Sequence, residues 1–220
     1  MRTLIALSAA YGAGGSIVGP ALARRLGVPF LDRAIPLAVA NRLEVPFDDA
    51  AALDEHVGTG WLERVLAGFA GGDTIPTPLP GDAFSSRDFR RATEQVLREQ
   101  AATGEGVILG RGAVVLLHDD PRALRVRLDG PPDRRARQAM RIRNIDAATA
   151  ERARAEFDRT HEAYFRQFYG VQIRDPGLYH LVLDSTSIEL EACVEIIALA
   201  AASTMDEAEA IRPSANGPAS

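Results

Sequence analysis

The chain has 220 residues, 46% of them hydrophobic and 25% charged, enough for one globular α/β domain with a sizeable core. A formal net charge of -5 excludes general electrostatic attraction to nucleic acid. All 25 basic residues are arginine, so any cationic task falls to an arginine, a histidine or a metal ion.

Residues 3–8, "TLIALS", form the continuous apolar run of a buried parallel strand, and 17–26, "IVGPALARRL", the helix that follows it. A strand at this position, and the lack of any apolar run of membrane-spanning length, set the expectation of a cytoplasmic protein without a membrane partner. Gly27 ends the first helix, and "VPFLDR" predicts a second strand reaching Asp32 and Arg33. The pattern over 34–70 is mostly helical, and the Gly- and Pro-dense "GGDTIPTPLPGD" (71–82) predicts an exposed loop. Phe89, Ala92, Val96 and Leu97 place a helix over 86–102, which leads through "TGEG" to the strand "VILG" (107–110). "ALRVRLDG" (123–130) alternates as a strand, "PPDRRARQAMRIR" opens a basic helix, and 146–168 predicts a long polar-aromatic helix. "YHLVLDS" (179–185) is the last strand and 188–202 the last helix. That helix carries Cys193, the only cysteine, whose apolar setting predicts burial and leaves no disulfide framework or cysteine zinc site. Residues 203–220 show no apolar period and are expected to be disordered. The alternation of strands and helices implies a parallel sheet covered on both faces, with a ligand beyond the carboxyl ends of its strands.

Three stretches carry chemistry. The first, "SAAYGAGGSIVGPALARRLG" (8–27), joins a strand to a helix through a glycine-rich turn. Against the phosphate-loop pattern G-x-x-x-x-G-K-[ST], Gly14 takes the second glycine and Ser16 the hydroxyl, whereas Ala9 stands at the first glycine and Gly15 at the lysine. A dinucleotide reading would use Asp32 on the ribose, but Ile17 stands at the third glycine of G-x-G-x-x-G. A tight βα turn without a ligand stays open at this point. Pro20 crowds the carbonyl of Ser16, so the helix is expected to begin near Ser16 or Ile17 with Ser16 as N-cap, its free N–H groups able to receive an anion. The second stretch, "VILGRGAVVLL", sets Arg111 between two glycines at a strand end, where its fork matches a phosphate's oxygens or a neighbouring carboxylate. The third pairs the basic helix with "RARAEFDRTHEAYFRQFY", in which Arg154, Asp158 and His161 share a face. Solvated surface and a mobile arginine-bearing lid both fit that pattern.

In order along the chain, "YGAGGSIVGPALARRLGVPFLDR", "VILGRGAVVLL", "DRRARQAMRIR", "FDRTHEAYFRQFYG" and "YHLVLDSTSIELEACVEII" resemble the cytidylate kinase-like family of P-loop nucleoside monophosphate kinases. The resemblance implies a three-layer α/β fold over residues 1–202, with a helical lid at 131–168. It implies ATP and Mg²⁺ as cofactors and CMP or dCMP as the small-molecule acceptor, with no nucleic-acid partner. By position, Gly12, Ala13, Gly14, Gly15 and Ser16 would contact the donor phosphates, with Ser16 also at the Mg²⁺. Asp32 and Arg111 would hold the acceptor; Arg135, Arg137, Asp158 and His161 would be lid groups at the reaction centre. The family's second lid arginine falls on Gln138, a further one on His161, and the loop lysine on Gly15. Phosphoryl transfer depends on positioning and charge neutralisation, so a nucleotide-binding pseudokinase is the alternative.

Overall fold

In the computed structural model, the structure describes residues 3–31, 86–110 and 112–203, without the side chains of 86–90, 92 and 93. Asp32, Arg111, the helical reading of 34–70, the loop at 71–82, the Phe89 and Ala92 side chains and the tail from 204 lie outside the described residues.

The elements follow the sequence pattern closely. β1 (Thr3–Ala9) leads into α1 (Gly15–Leu26), and β2 (Phe30–Leu31) follows. α2 (Ser86–Ala102) precedes β3 (Glu105–Leu109) and the short α3 (Ala113–Leu116). β4 (Ala123–Asp129) is followed by α4 (Pro132–Arg143), α5 (Ala147–Tyr169), β5 (Leu181–Asp184) and α6 (Leu190–Ser203). All strand pairs are parallel, in the order β2-β3-β1-β4-β5. α1 starts one residue earlier than expected, at Gly15, and its N-cap is Gly14 in the left-handed region, not Ser16. Gly27, at φ 70°, closes it as expected.

Each sheet face is sealed differently. Ile5, Leu7, Val107, Leu124, Val126 and Leu128 pack against α1 and α6, where Val18, Leu22, Ile197 and the buried Cys193 complete the layer. Leu4, Ala6, Ile108 and Ala123 meet α2, α3 and α5 through Leu97, Val114 and Phe165. On that second face β4 continues with Arg125, Arg127 and Asp129, a polar row running to the carboxyl edge beside the β1–α1 loop.

The loop is held from outside. A Cβ on Gly12, at φ 76°, would run into the carbonyl oxygen of Arg135 in α4. Gly12→Ala is expected to cost about 2–5 kcal/mol, adding overpacking to a left-handed backbone penalty. Gly27→Ala carries the same backbone penalty with nothing within 4 Å of the new methyl, so about 1–2 kcal/mol is expected. Urea unfolding of the two variants checks whether the clash with α4 is real.

Candidate functional site

Past Ala9 the chain leaves the sheet: Ala10 N–H donates to the Leu128 carbonyl of β4, and Ala13 N–H closes a turn on Ala10. Ser185, buried after β5, donates to the Ala13 carbonyl at 2.8 Å and ties the loop to the far side of the sheet. α1 then begins, with the N–H groups of Ile17 and Val18 both directed to the Gly14 carbonyl. The N–H groups of Gly14, Gly15 and Ser16 donate to no protein group among the described residues. Three unpaired donors at the positive end of a helix, with the exposed Ser16 hydroxyl beside them, suit an anion's oxygens. Among the described residues no group of three His, Cys, Asp or Glu side chains converges as a metal site.

Why the loop carries no lysine is visible in its packing. A Cβ on Gly15 would lie 2.5 Å from that of Ala9 and 3.2 Å from a Leu109 methyl. Ala9 and Gly15 stand where the phosphate-loop pattern has glycine and lysine, so the two departures compensate: the methyl of one fills the space of the other's side chain.

Behind the loop lies an ionic cluster. Arg135, buried to 1% exposure, donates through both Nη atoms to Asp158 at 2.9 and 2.6 Å, through Nη1 to the Tyr11 carbonyl and through Nε to the Gly130 carbonyl. Arg154 and Arg174 add contacts to Asp158 at 3.1 and 3.3 Å. Burial pushes the Asp158 pKa up, but Arg135, Arg174 and Arg154 together hold it below the ordinary carboxylate value. The family likeness makes Arg135 and Asp158 lid groups; the structure places them as a buried pair joining α4, α5 and the loop. Arg137 is exposed and paired with Asp133 one turn earlier. Arg127, which sequence reasoning passed over, is buried, paired with Asp129 at 2.8 Å, and reaches Ser8 and Tyr179. The alternation of "LRVRLD" is the signal that could have revealed it.

His161 is not an exposed switch on a solvated face. Its ring stacks on Phe157 at 4.9 Å and meets Phe165 edge-on at 4.8 Å. Burial, then the nearby Arg127 charge, lower its pKa to about 4 against the partial opposition of Asp158. It is therefore a neutral ring at neutral pH. Phe157 also packs on Tyr11 of the loop, whose other neighbour is the Arg143 guanidinium, 4.9 Å from the ring centre.

The sequence matches the cytidylate kinase-like family over residues 4–187. No protein of curated function matches it. Among solved structures, an uncharacterized protein from Eubacterium ventriosum is similar at 20% identity and a TM-score of 0.66, over 93% of this chain and 100% of that one. Shikimate kinase from Acinetobacter baumannii, solved with shikimate, is similar at 17% identity and a TM-score of 0.50, over 93% and 97%. The five-stranded parallel sheet with its flanking helices is the P-loop kinase fold. Among the described residues no helix is long and apolar enough to cross a membrane.

Two measurements follow from this geometry. Gly15→Lys alone is expected to destabilise the loop without tightening ATP binding, whereas Ala9→Gly with Gly15→Lys removes the 2.5 Å clash and should tighten it at least tenfold by calorimetry. The depressed His161 pKa means that the neutral ring favours folding. That contribution is complete above about 6.5 and is lost as pH falls towards about 4. His161→Phe should flatten this part of the stability–pH profile, and the imidazole resonances of the wild type should stay those of a neutral ring at pH 6.

Proposed function

The chain belongs to the cytidylate kinase-like family, and from that premise we propose that it is a nucleoside monophosphate kinase moving the γ-phosphate of ATP to CMP or dCMP. The observation that carries the reading is the trio of unpaired N–H groups at Gly14, Gly15 and Ser16, at the carboxyl edge of the central strand. Gly12 and Ala13 shape the turn before them, and the Ser16 hydroxyl is the Mg²⁺ ligand. When bound, Mg-ATP supplies the phosphoryl group and most of the positive charge that a loop without lysine lacks. Asp32 and Arg111 bind the acceptor, and α4 and α5 form the lid that excludes water, with Arg137 as its mobile cation. In this reading Arg135, Asp158 and His161 act as positioning residues, setting the angle between lid and loop.

A second reading, a nucleotide-binding pseudokinase, is favoured by the Ala9–Gly15 packing, which leaves no room for the lysine that neutralises the transferring phosphate. Loss of one preorganised donor costs about 3–4 kcal/mol of transition-state stabilisation, or two to three orders of magnitude in rate. A coupled assay with CMP, dCMP, UMP and AMP separates the two. Turnover with CMP or dCMP, falling at least tenfold in Arg111→Ala with folding intact, is the expected result. ATP binding with turnover no higher than in Arg111→Ala establishes the pseudokinase.

A further inference from the structure

α1 and α6 cover one face of the sheet, and each follows a strand of the same direction, so they run side by side in the same sense. Leu190, the first residue of α6, packs on Gly14 at the head of α1, and Arg25 near the foot of α1 donates to Glu195 at 2.8 Å. Val18 and Leu22 of α1 and Cys193 and Ile197 of α6 point into the core. Turned the other way are Ile17 and Arg24 on α1, and Glu191, Glu195 and Leu199 on α6.

A helix as apolar as "LEACVEIIALAAAS" normally lies inside a protein. Here Leu199 is 68% exposed and Ile17 43%, two of the three exposed large hydrophobics among the described residues. Single exposed leucines are ordinary; what sets this face apart is the charge around them. α1 has no acidic residue and α6 no basic one. Arg25 and Glu195 pair within the chain, whereas Arg24 and Glu191, both exposed, make no ion pair or side-chain hydrogen bond among the described residues.

We propose that this face binds a second copy of the chain across a two-fold axis standing between α1 and α6. Such an axis reverses the helices and lays α1 of each copy over α6 of the other. Ile17 near the head of α1 then meets Leu199 of the other copy, and Arg24 near the foot meets Glu191. The spacings match, since Ile17 and Arg24 stand about 10 Å apart along α1 and Glu191 and Leu199 about 12 Å apart along α6. Stacked in the same sense, the helices would set Arg24 against Leu199 and Ile17 against Glu191. Two helices of this length offer roughly 400 Å² from each copy, small for a permanent dimer, so the association is weak and concentration-dependent. The proposal stands apart from the kinase reading, because it uses no residue placed in the nucleotide site.

The test is sedimentation velocity of the full chain from micromolar to several hundred micromolar protein. A reversible shift from monomer to dimer is expected over that range. Leu199→Arg, a surface change that leaves the melting temperature nearly unaltered, weakens the dimer about tenfold. Arg24→Glu and Glu191→Arg, each alone, do the same, because each sets like charges together at both ends of the interface. Mixed in equal amounts, the two charge variants regain the dimer, since every contact in the mixed pair again joins opposite charges. No rearrangement within one chain gives that recovery, and it carries the test alone should Leu199→Arg not fold. A wild type that stays monomeric throughout overturns the proposal in favour of a different protein on this face. A dimer indifferent to all three variants overturns it by placing the contact elsewhere. Charge variants that weaken the dimer but do not recover on mixing overturn the antiparallel pairing.

Discussion

The rest of the site depends on the guanidinium of Arg135. It is inside the protein, so its charge must be matched and its donors satisfied, and the structure does both with groups from separate elements. Asp158 comes from α5, the Gly130 carbonyl from the end of β4, and the Tyr11 carbonyl from the loop after β1. Removing either partner of such a pair typically costs about 3–5 kcal/mol, because the other is left charged and buried. The pair thus fixes the distance between α4 and the loop, and the carbonyl of Arg135 itself presses on Gly12. Gly12 is a glycine because of this contact, whatever the loop binds.

The loop differs from a lysine-bearing phosphate cradle in a coordinated way. An isolated loss of lysine would leave a gap at its stem; here the gap is filled by the Ala9 methyl, and Gly15 accommodates it. Charge is then supplied from elsewhere or not at all. Several arginines of α4 and α5 face carboxylates, Arg134 at Asp184 and Arg154 at Glu151 and Asp158, while the exposed Arg137 has only a surface contact with Asp133 and Arg143 lies over the Tyr11 ring of the loop.

The aromatic face of α5 has a related task. Phe157, His161 and Phe165 stack along one side of the helix, and Phe157 continues the stack to Tyr11. Burial in that column, and then the charge of the nearby Arg127, keep the ring neutral. α5 therefore meets the loop through uncharged ring packing, and through the ionic contacts that Asp158 makes with Arg135.

The fold was legible in the sequence because its signals are local. Apolar runs, and for 123–130 an alternating pattern, marked the strands, Gly27 closed the first helix, and the alternation of elements implied the parallel sheet. The order of motifs carried the family, and Gly12 to Ser16 were recognisable as a loop between strand and helix. α1 begins one residue before the expected position, since Gly14 caps it through a left-handed backbone that no side-chain pattern announces. What the linear order could not decide is which of many arginines are inside. Arg134, Arg135 and Arg137 look alike along the chain, yet helical rotation and the position of Asp158, 23 residues from Arg135, bury Arg135 and leave Arg137 in solvent. The same holds for Gln138, whose amide stands at the loop only because α4 folds back across it. Chain composition determined that arginine would bear the positive charge; packing between distant segments decided which arginine is committed and which donors remain unpaired.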